Sequence, residues 1–161
     1  MIRDCATDDF DAMLQVINDG ARAYKGIIPP DRWHEPYMPA GELSAEISHG
    51  VNFRGWFDAD TGLVGVMGLQ PVKDVLLIRH AYVRTDHRRS GIGSALMADL
   101  LHRVDRPLLI GTWAAATWAV NFYQKHNFEL VTASEKNRLL KEYWTIPERQ
   151  IETSVVLRYL G

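Results

Sequence analysis

One cysteine, Cys5, stands in a chain of 161 residues, so neither an internal disulfide framework nor a multi-thiolate zinc site can form. A reducing compartment suits such a chain. No run of about 20 apolar residues occurs, the length that a membrane-spanning helix needs; the charge-free stretch Pro107 to Val120 is interrupted by Gly111, Thr112 and Thr117. Met1-Ile2-Arg3-Asp4 lacks the basic-then-apolar order of a secretory signal, and a cytoplasmic location without membrane attachment is expected. The formal net charge is −2 with 24% charged residues, so no basic field gathers nucleic acid or an anionic membrane. His80 and His87 fall on separate elements and no His, Asp or Glu cluster has a recognised ligand spacing, so no metal is expected.

What is present fits one globular domain over residues 1–161, since 47% of the residues are hydrophobic and a domain of this size buries a single core. Ile2 to Ala6 reads as a short strand. Thr7, followed by Asp8 and Asp9, supplies an N-cap and an acidic first turn for a helix with Phe10, Met13, Leu14 and Ile17 on its buried face, ending near Gly20. Residues 27–39 hold four of the seven prolines, which excludes a long regular element there. A short helix over Glu42 to His49 leads to strands at Phe53 to Phe57, Leu63 to Pro71 and Val75 to Val83, with turn chemistry at Asp60-Thr61-Gly62. Beyond Gly91 the period changes: Ile92, Leu96, Leu100 and Val104 fall at i, i+4 steps and predict an amphipathic helix. Leu108 to Thr112 reads as a strand, and a second helix follows with Ala119, Phe122, Tyr123 and His126 on one face. Asn127 can end that helix in the left-handed conformation. Glu129 to Thr132 and Ile151 to Leu160 read as strands around a charged helical segment.

The unit strand, Arg88-Arg89-Ser90-Gly91-Ile92-Gly93, helix points backbone N–H groups and a helix dipole at one place, where an anion is expected. Gly91 and Gly93 allow close approach of a phosphate, and Arg88 and Arg89 add charge. The alternative is a plain turn with two solvated arginines. A dinucleotide fold would want a third glycine where Leu96 stands and an acid near Trp113; a P-loop would want Gly-Lys-Ser/Thr. Neither occurs.

At these residues the chain resembles the GNAT acetyltransferase superfamily, whose phosphate loop follows R/Q-x-x-G-x-G/A. Ala81-Tyr82-Val83 resembles the end of the family's fourth strand, and Phe122-Tyr123-Gln124-Lys125-His126-Asn127-Phe128 resembles its F-Y-x-K-x-G-F. The resemblance extends over nearly the whole element order. It implies an α/β (α+β) fold with a central mixed, mostly antiparallel sheet of six to seven strands, helices on both faces, and a splay between the fourth and fifth strands. It implies acetyl-coenzyme A as co-substrate, held by Val83, Arg88, Arg89, Ser90, Gly91, Ile92, Gly93 and Ser94, and transfer of the acetyl group directly to a primary amine. The Ala81 backbone N–H is the expected donor to the thioester carbonyl, and Tyr123 the expected acid that protonates the departing thiolate.

The chain departs from that family at several positions. Where members carry a general base, Leu77, Arg79 and Gly111 stand here, and none accepts a proton. Ala116 replaces a frequent asparagine, and Asn127 a usual glycine. His80, His34, Glu35 or a water chain are the substitutes for the base, with His80 first; strand alternation puts it on the face opposite Arg79 and Ala81. A hydrogen-bonded sheet histidine is the plainer alternative.

The loop expected to border the acceptor is aromatic. Tyr24, Trp33, His34, Glu35 and Tyr37, with Trp113, suggest a partly closed pocket where rings and Glu35 meet an ammonium group; packing of the same aromatics onto the core is the competing reading. A small-molecule amine is the first acceptor expected, a peptide or protein amine the second. A coenzyme A-binding module without turnover stays open because the base is missing. Ser154-Val155-Val156-Leu157 can pair within the sheet or with a second copy as a homodimer.

Overall fold

The computed structural model describes all residues, 1–161. Seven strands form one sheet: β1 Ile2–Asp4, β2 Asn52–Asp58, β3 Gly62–Val72, β4 Val75–Val83, β5 Leu108–Trp113, β6 Phe128–Leu130 and β7 Ser154–Tyr159. Their order is β1-β2-β3-β4-β5-β7-β6. Only β4 and β5 run parallel, and all other neighbours are antiparallel. The helices are α1 Phe10–Ala21, α2 Ala40–Ser48, α3 Ile92–Leu101, α4 Thr117–Lys125, α5 Ala133–Tyr143 and α6 Glu148–Glu152.

Alternation along the central strands sends side chains to two layers. Leu76 and Ile78 of β4 and Leu108 and Ile110 of β5 pack with Leu96, Met97 and Leu100 of α3 and Tyr123 of α4. The intervening Leu77 and Leu109 pack with Leu139 and Leu140 of α5. Met13, Val16 and Ile17 of α1 and Leu43 of α2 cover Phe53 and Val66 on that same side, over the β1 to β4 half. Fully buried leucines such as Leu96 each stabilise the fold by roughly 1.5–3 kcal/mol relative to an exposed position. No helix is long and apolar enough to cross a membrane.

The amino-terminal reading shifts in two places. Thr7–Asp9 form a 3-10 turn, and α1 starts from Asp9, whose carboxylate accepts from Ala6 N at 2.7 Å and from Arg3 at 2.8 Å. Gly20 lies inside α1 rather than at its end: a Cβ there would stand 2.8 Å from the Cβ of Tyr82, so this glycine serves a close approach of helix to sheet. Near the other terminus, Ile151 belongs to α6, and β7 begins at Ser154. β7 is paired with β5 on one edge and β6 on the other, so its backbone hydrogen bonds are used within the chain.

Arg54 of β2 binds Asp99 of α3 through two bonds, Nε to Oδ2 at 2.7 Å and Nη2 to Oδ1 at 3.0 Å. The Arg54 hydrogen bond is the main cause holding the Asp99 carboxyl below its ordinary value. Asp99→Asn is expected to cost about 1 kcal/mol, the scale of a charge-assisted bond discounted for partial exposure. Because the folded-state pKa is depressed, this stabilisation is present above about pH 4 and disappears as pH falls through the lowered value. Urea titrations of both proteins at pH 7 and pH 3 check it: the difference seen at pH 7 should shrink at pH 3.

Candidate active site

β4 and β5 pair only over Leu76–Ile78 and Leu108–Ile110. Past Ile78, β4 stays with β3, and past Ile110, β5 stays with β7, so the two strands part. A bulge sharpens the parting. Val66 faces Tyr82 and Gly68 faces Arg79, which leaves His80 and Ala81 opposite the single residue Met67. His80 takes φ +56°, a left-handed conformation uncommon outside glycine but more accessible to histidine than to most residues. The bulge also overturns the simple alternation expected for this strand: Arg79 and His80 both reach Glu46 of α2.

Two cavities meet at the parting. The first, of about 490 Å³, lies along α3 and α4 and is lined by Val83, Arg88, Arg89, Gly91, Ile92, Gly93 and Ser94, together with Trp118 and Phe122. The second, of about 140 Å³, lies between the aromatic loop, β4, β5 and the α5–α6 region. Tyr24, Ala81, Tyr82 and Tyr123 line both.

The first cavity is built around the amino terminus of α3. Gly91, at φ +81°, precedes that helix and no side chain caps it, so the first N–H groups of α3 face outward without a helical partner. With the dipole, they suit an anion such as a diphosphate. The loop is anchored from below: Arg88 Nη2 donates to Gly20 O at 3.0 Å and Thr85 N to Asp19 Oδ2 at 2.7 Å. Arg88 therefore spends part of its donor capacity on α1, while Arg89, at φ +64°, stands exposed. Of the residues expected at this loop, Ser90 alone is absent from the cavity wall; its hydroxyl donates to His87 O and closes the turn.

Tyr123 is buried, and burial raises its phenol well above the ordinary range. No protein group hydrogen-bonds its hydroxyl, so it remains protonated at neutral pH and available to a ligand. Asn127 ends the following turn at φ +70°, with Nδ2 donating to Gly161 O at 2.6 Å. That bond, and the tolerance of asparagine for left-handed backbone, explain how it replaces a glycine.

The smaller cavity gathers three of the aromatic residues singled out from the sequence, Tyr24, Tyr37 and Trp113, and adds Tyr82, Trp144 and Gln150. Trp113 Nε1 donates to Tyr37 Oη at 3.3 Å, and burial pushes the Tyr37 phenol up to about 12. Trp33 and His34 stack on Tyr37, with ring centroids at 5.5 and 6.2 Å, but are not part of this wall. Glu35 is exposed, 3.6 Å from Lys25 Nζ, on an outer depression. No carboxylate lines the cavity. At Gly111 a side chain would run into Trp144, whose ring lies 3.2 Å from the position of a Cβ; Leu77 is fully buried.

Glu46 escaped the sequence reading because nothing near it marks it. It lies in the last turn of α2, and its partners are 33 and 34 residues away on β4. His80 Nε2 is 2.6 Å from Glu46 Oε2, while Arg79 Nη2 binds Oε1 and Arg79 Nη1 binds Gln70 Oε1 at 3.0 Å. Burial works to raise the Glu46 carboxyl, yet His80, Arg79 and His49 together outweigh it and hold it below the ordinary value. No group of three or more His, Cys, Asp or Glu side chains is arranged to hold a metal ion.

Comparison with known proteins places this geometry. Residues 52–130, from β2 to β6, match the family model described as acetyltransferase (GNAT) domain. No curated protein sequence matches the chain. Among solved structures, a GNAT-family acetyltransferase from Staphylococcus aureus Mu50 superposes with a TM-score of 0.72 at 13% identity, covering 99% of this chain and 97% of that one. The PaiA N-acetyltransferase of Thermoplasma acidophilum, solved in complex with coenzyme A, gives 0.71 at 17% identity, with 99% and 97% covered. The ribosomal-protein-S18-alanine N-acetyltransferase of Escherichia coli gives 0.67 at 15%, with 99% and 92% covered. The matched segment contains the parted strands, the glycine loop and the α4 tyrosine, so residues 52–130 form a GNAT acetyltransferase domain, and the solved structures share its fold over nearly the whole chain.

Proposed function

We propose that this protein transfers an acetyl group from acetyl-coenzyme A directly to the primary amine of a small molecule. The observation that carries the reading is the pair of cavities joined through Tyr24, Ala81, Tyr82 and Tyr123: one suits the donor, the other the acceptor, and the residues between them are those the chemistry needs. In this reading the diphosphate lies on the α3 amino terminus and the thioester beside Ala81, whose N–H stabilises the developing oxyanion. The neutral amine attacks the carbonyl carbon, the C–N bond forms and the C–S bond breaks. Tyr123 gives its proton to the leaving sulfur. His80 takes the proton released by the nitrogen, and exchange through solvent returns both residues to their starting states.

The acceptor cavity argues for small size. Its volume of about 140 Å³ is below the roughly 300–1,000 Å³ usual for drug-sized ligands. Its rings attract an ammonium group through their faces, but with Arg79 on the wall and no carboxylate there a polyamine or a lysine-rich peptide would bring further positive charges that find no partner. A thiol-release assay with acetyl-coenzyme A and three probes, phenethylamine, spermidine and a tetrapeptide with a free amino terminus, tests this. Preference for phenethylamine is expected. Preference for the tetrapeptide would give the reading to a peptide acetyltransferase, and coenzyme A binding without turnover of any amine would leave a binding module.

The donor half has its own test. A Cβ at Gly93 would meet Phe122 at 3.5 Å, an ordinary contact, so Gly93→Ala should leave the melting temperature almost unchanged. The added methyl would stand where the diphosphate approaches the backbone, and acetyl-coenzyme A affinity is expected to fall about tenfold or more, the scale of one lost charge-assisted bond. Calorimetry reads this directly; unaltered affinity would remove the phosphate from this loop.

A further inference from the structure

We infer that Glu46 is a positioning residue for His80: its carboxylate, held by Arg79, selects the tautomer with the proton on Nε2 and leaves the Nδ1 lone pair free at the acceptor cavity. The catalytic consequence rests on the proposed role of His80 as base; the positioning itself does not.

The ring is fixed from three directions. Phe53 of β2 and Tyr82 of β4 flank it, with ring centroids at 6.3 and 6.4 Å and planes inclined by only 25° and 21°. At its end, Nε2 stands 2.6 Å from Glu46 Oε2, a charge contact that lies off the N–H direction, so neither atom completes a hydrogen bond. A nitrogen lone pair this close to an ionised carboxylate oxygen is repelled, which favours the hydrogen on Nε2 and the lone pair on Nδ1. Nδ1 has no protein partner and is not sealed among the buried unpartnered atoms, and His80 lines the acceptor cavity. Its accessible side is thus the basic one.

The charged and titratable groups facing this cluster are few. Glu46 and, through it, His49 come from α2; Arg79 and Tyr82 stand on β4; Tyr24, at the end of the segment after α1, reaches Tyr82 with centroids 6.1 Å apart. Arg79 and Glu46 cancel while His80 is neutral. When Nδ1 takes the amine's proton, the imidazolium has Glu46 as counter-ion, as an orienting carboxylate does for histidine bases elsewhere. Fastening α2 to the sheet needs only the Arg79–Glu46 pair. The second partner is reached through the left-handed residue of the bulge, backbone strain of the kind that gathers at working sites.

Long-range 1H–15N spectra of the intact protein, with no acceptor present, report the tautomer of His80. The wild type is expected to show Nε2–H. In Glu46→Gln the single tautomer should be lost, with Glu46→Asp restoring part of the preference. With phenethylamine and acetyl-coenzyme A, Glu46→Gln should lower kcat about tenfold, less than the roughly 100-fold or more for loss of a base itself, while acetyl-coenzyme A binds as before. In a His80→Gln background, Glu46→Gln should cost no further activity. An Nδ1–H wild type, or an unaltered tautomer in Glu46→Gln, overturns the positioning role. If the spectra behave as expected but His80→Gln leaves turnover intact, the base assignment falls and the positioning stands.

Discussion

Tyr123→Phe is expected to lower kcat by about 100- to 10,000-fold, the range for removal of a general acid, with acetyl-coenzyme A affinity nearly unchanged. The substitution deletes one oxygen and keeps the ring, which packs against Phe122 and Phe128 at centroid distances of 5.3 and 5.7 Å. Because the hydroxyl binds no protein group, its loss leaves no orphaned partner and the melting temperature should hold or rise slightly. Burial keeps the phenol protonated, so the wild-type rate should not fall in the pH 8 to 10 range through loss of this proton. Single-turnover kinetics with saturating donor separate chemistry from product release. A phenylalanine enzyme with wild-type single-turnover rate would show that the leaving thiolate finds its proton elsewhere.

Gly68→Ala should be the most damaging of the small substitutions. A Cβ there would lie 2.7 Å from the backbone oxygen of Arg79, with Val51 at 2.9 Å and Phe53 at 3.1 Å. A side chain could swing away; the carbonyl of a paired strand cannot without breaking the ladder. A loss of about 3 kcal/mol is expected, the upper end for overpacking a tight interior, read from urea denaturation. Since Gly68 is paired with Arg79 at the start of the bulge, the surviving fold should also show lower kcat, because His80 and Ala81 follow directly. Gly93→Ala makes the contrast: there the loss is of binding, with stability kept.

These residues also mark where sequence reasoning reached and where it stopped. The glycine loop before α3, α3 itself and the left-handed Asn127 were legible because each is written in neighbouring residues: glycines before an i, i+4 pattern, or an asparagine closing a helix. The strands β3 to β5 announced themselves through β-branched and leucine-rich runs between turn residues. The bulge was not legible, since no turn signal marks His80 and its register is decided by what β3 offers opposite. Gly20 resembled a helix end, because its real cause, Tyr82, stands 62 positions later. Glu35 looked like the acid of the acceptor loop, yet its side chain faces Lys25, while Glu46, unremarkable in sequence, is drawn to β4. Packing over long separations decides such matters, and a single sequence does not display it.

With the proposed function, the anchoring of the glycine loop to α1, through Arg88 to Gly20 and Thr85 to Asp19, bears on the thermodynamics of donor capture. A loop already held in its working shape has little conformational freedom left to surrender when the diphosphate arrives. Donor binding should then show a small entropic penalty. Severing the anchor with Asp19→Ala should enlarge that penalty, even though Asp19 is absent from the donor cavity wall.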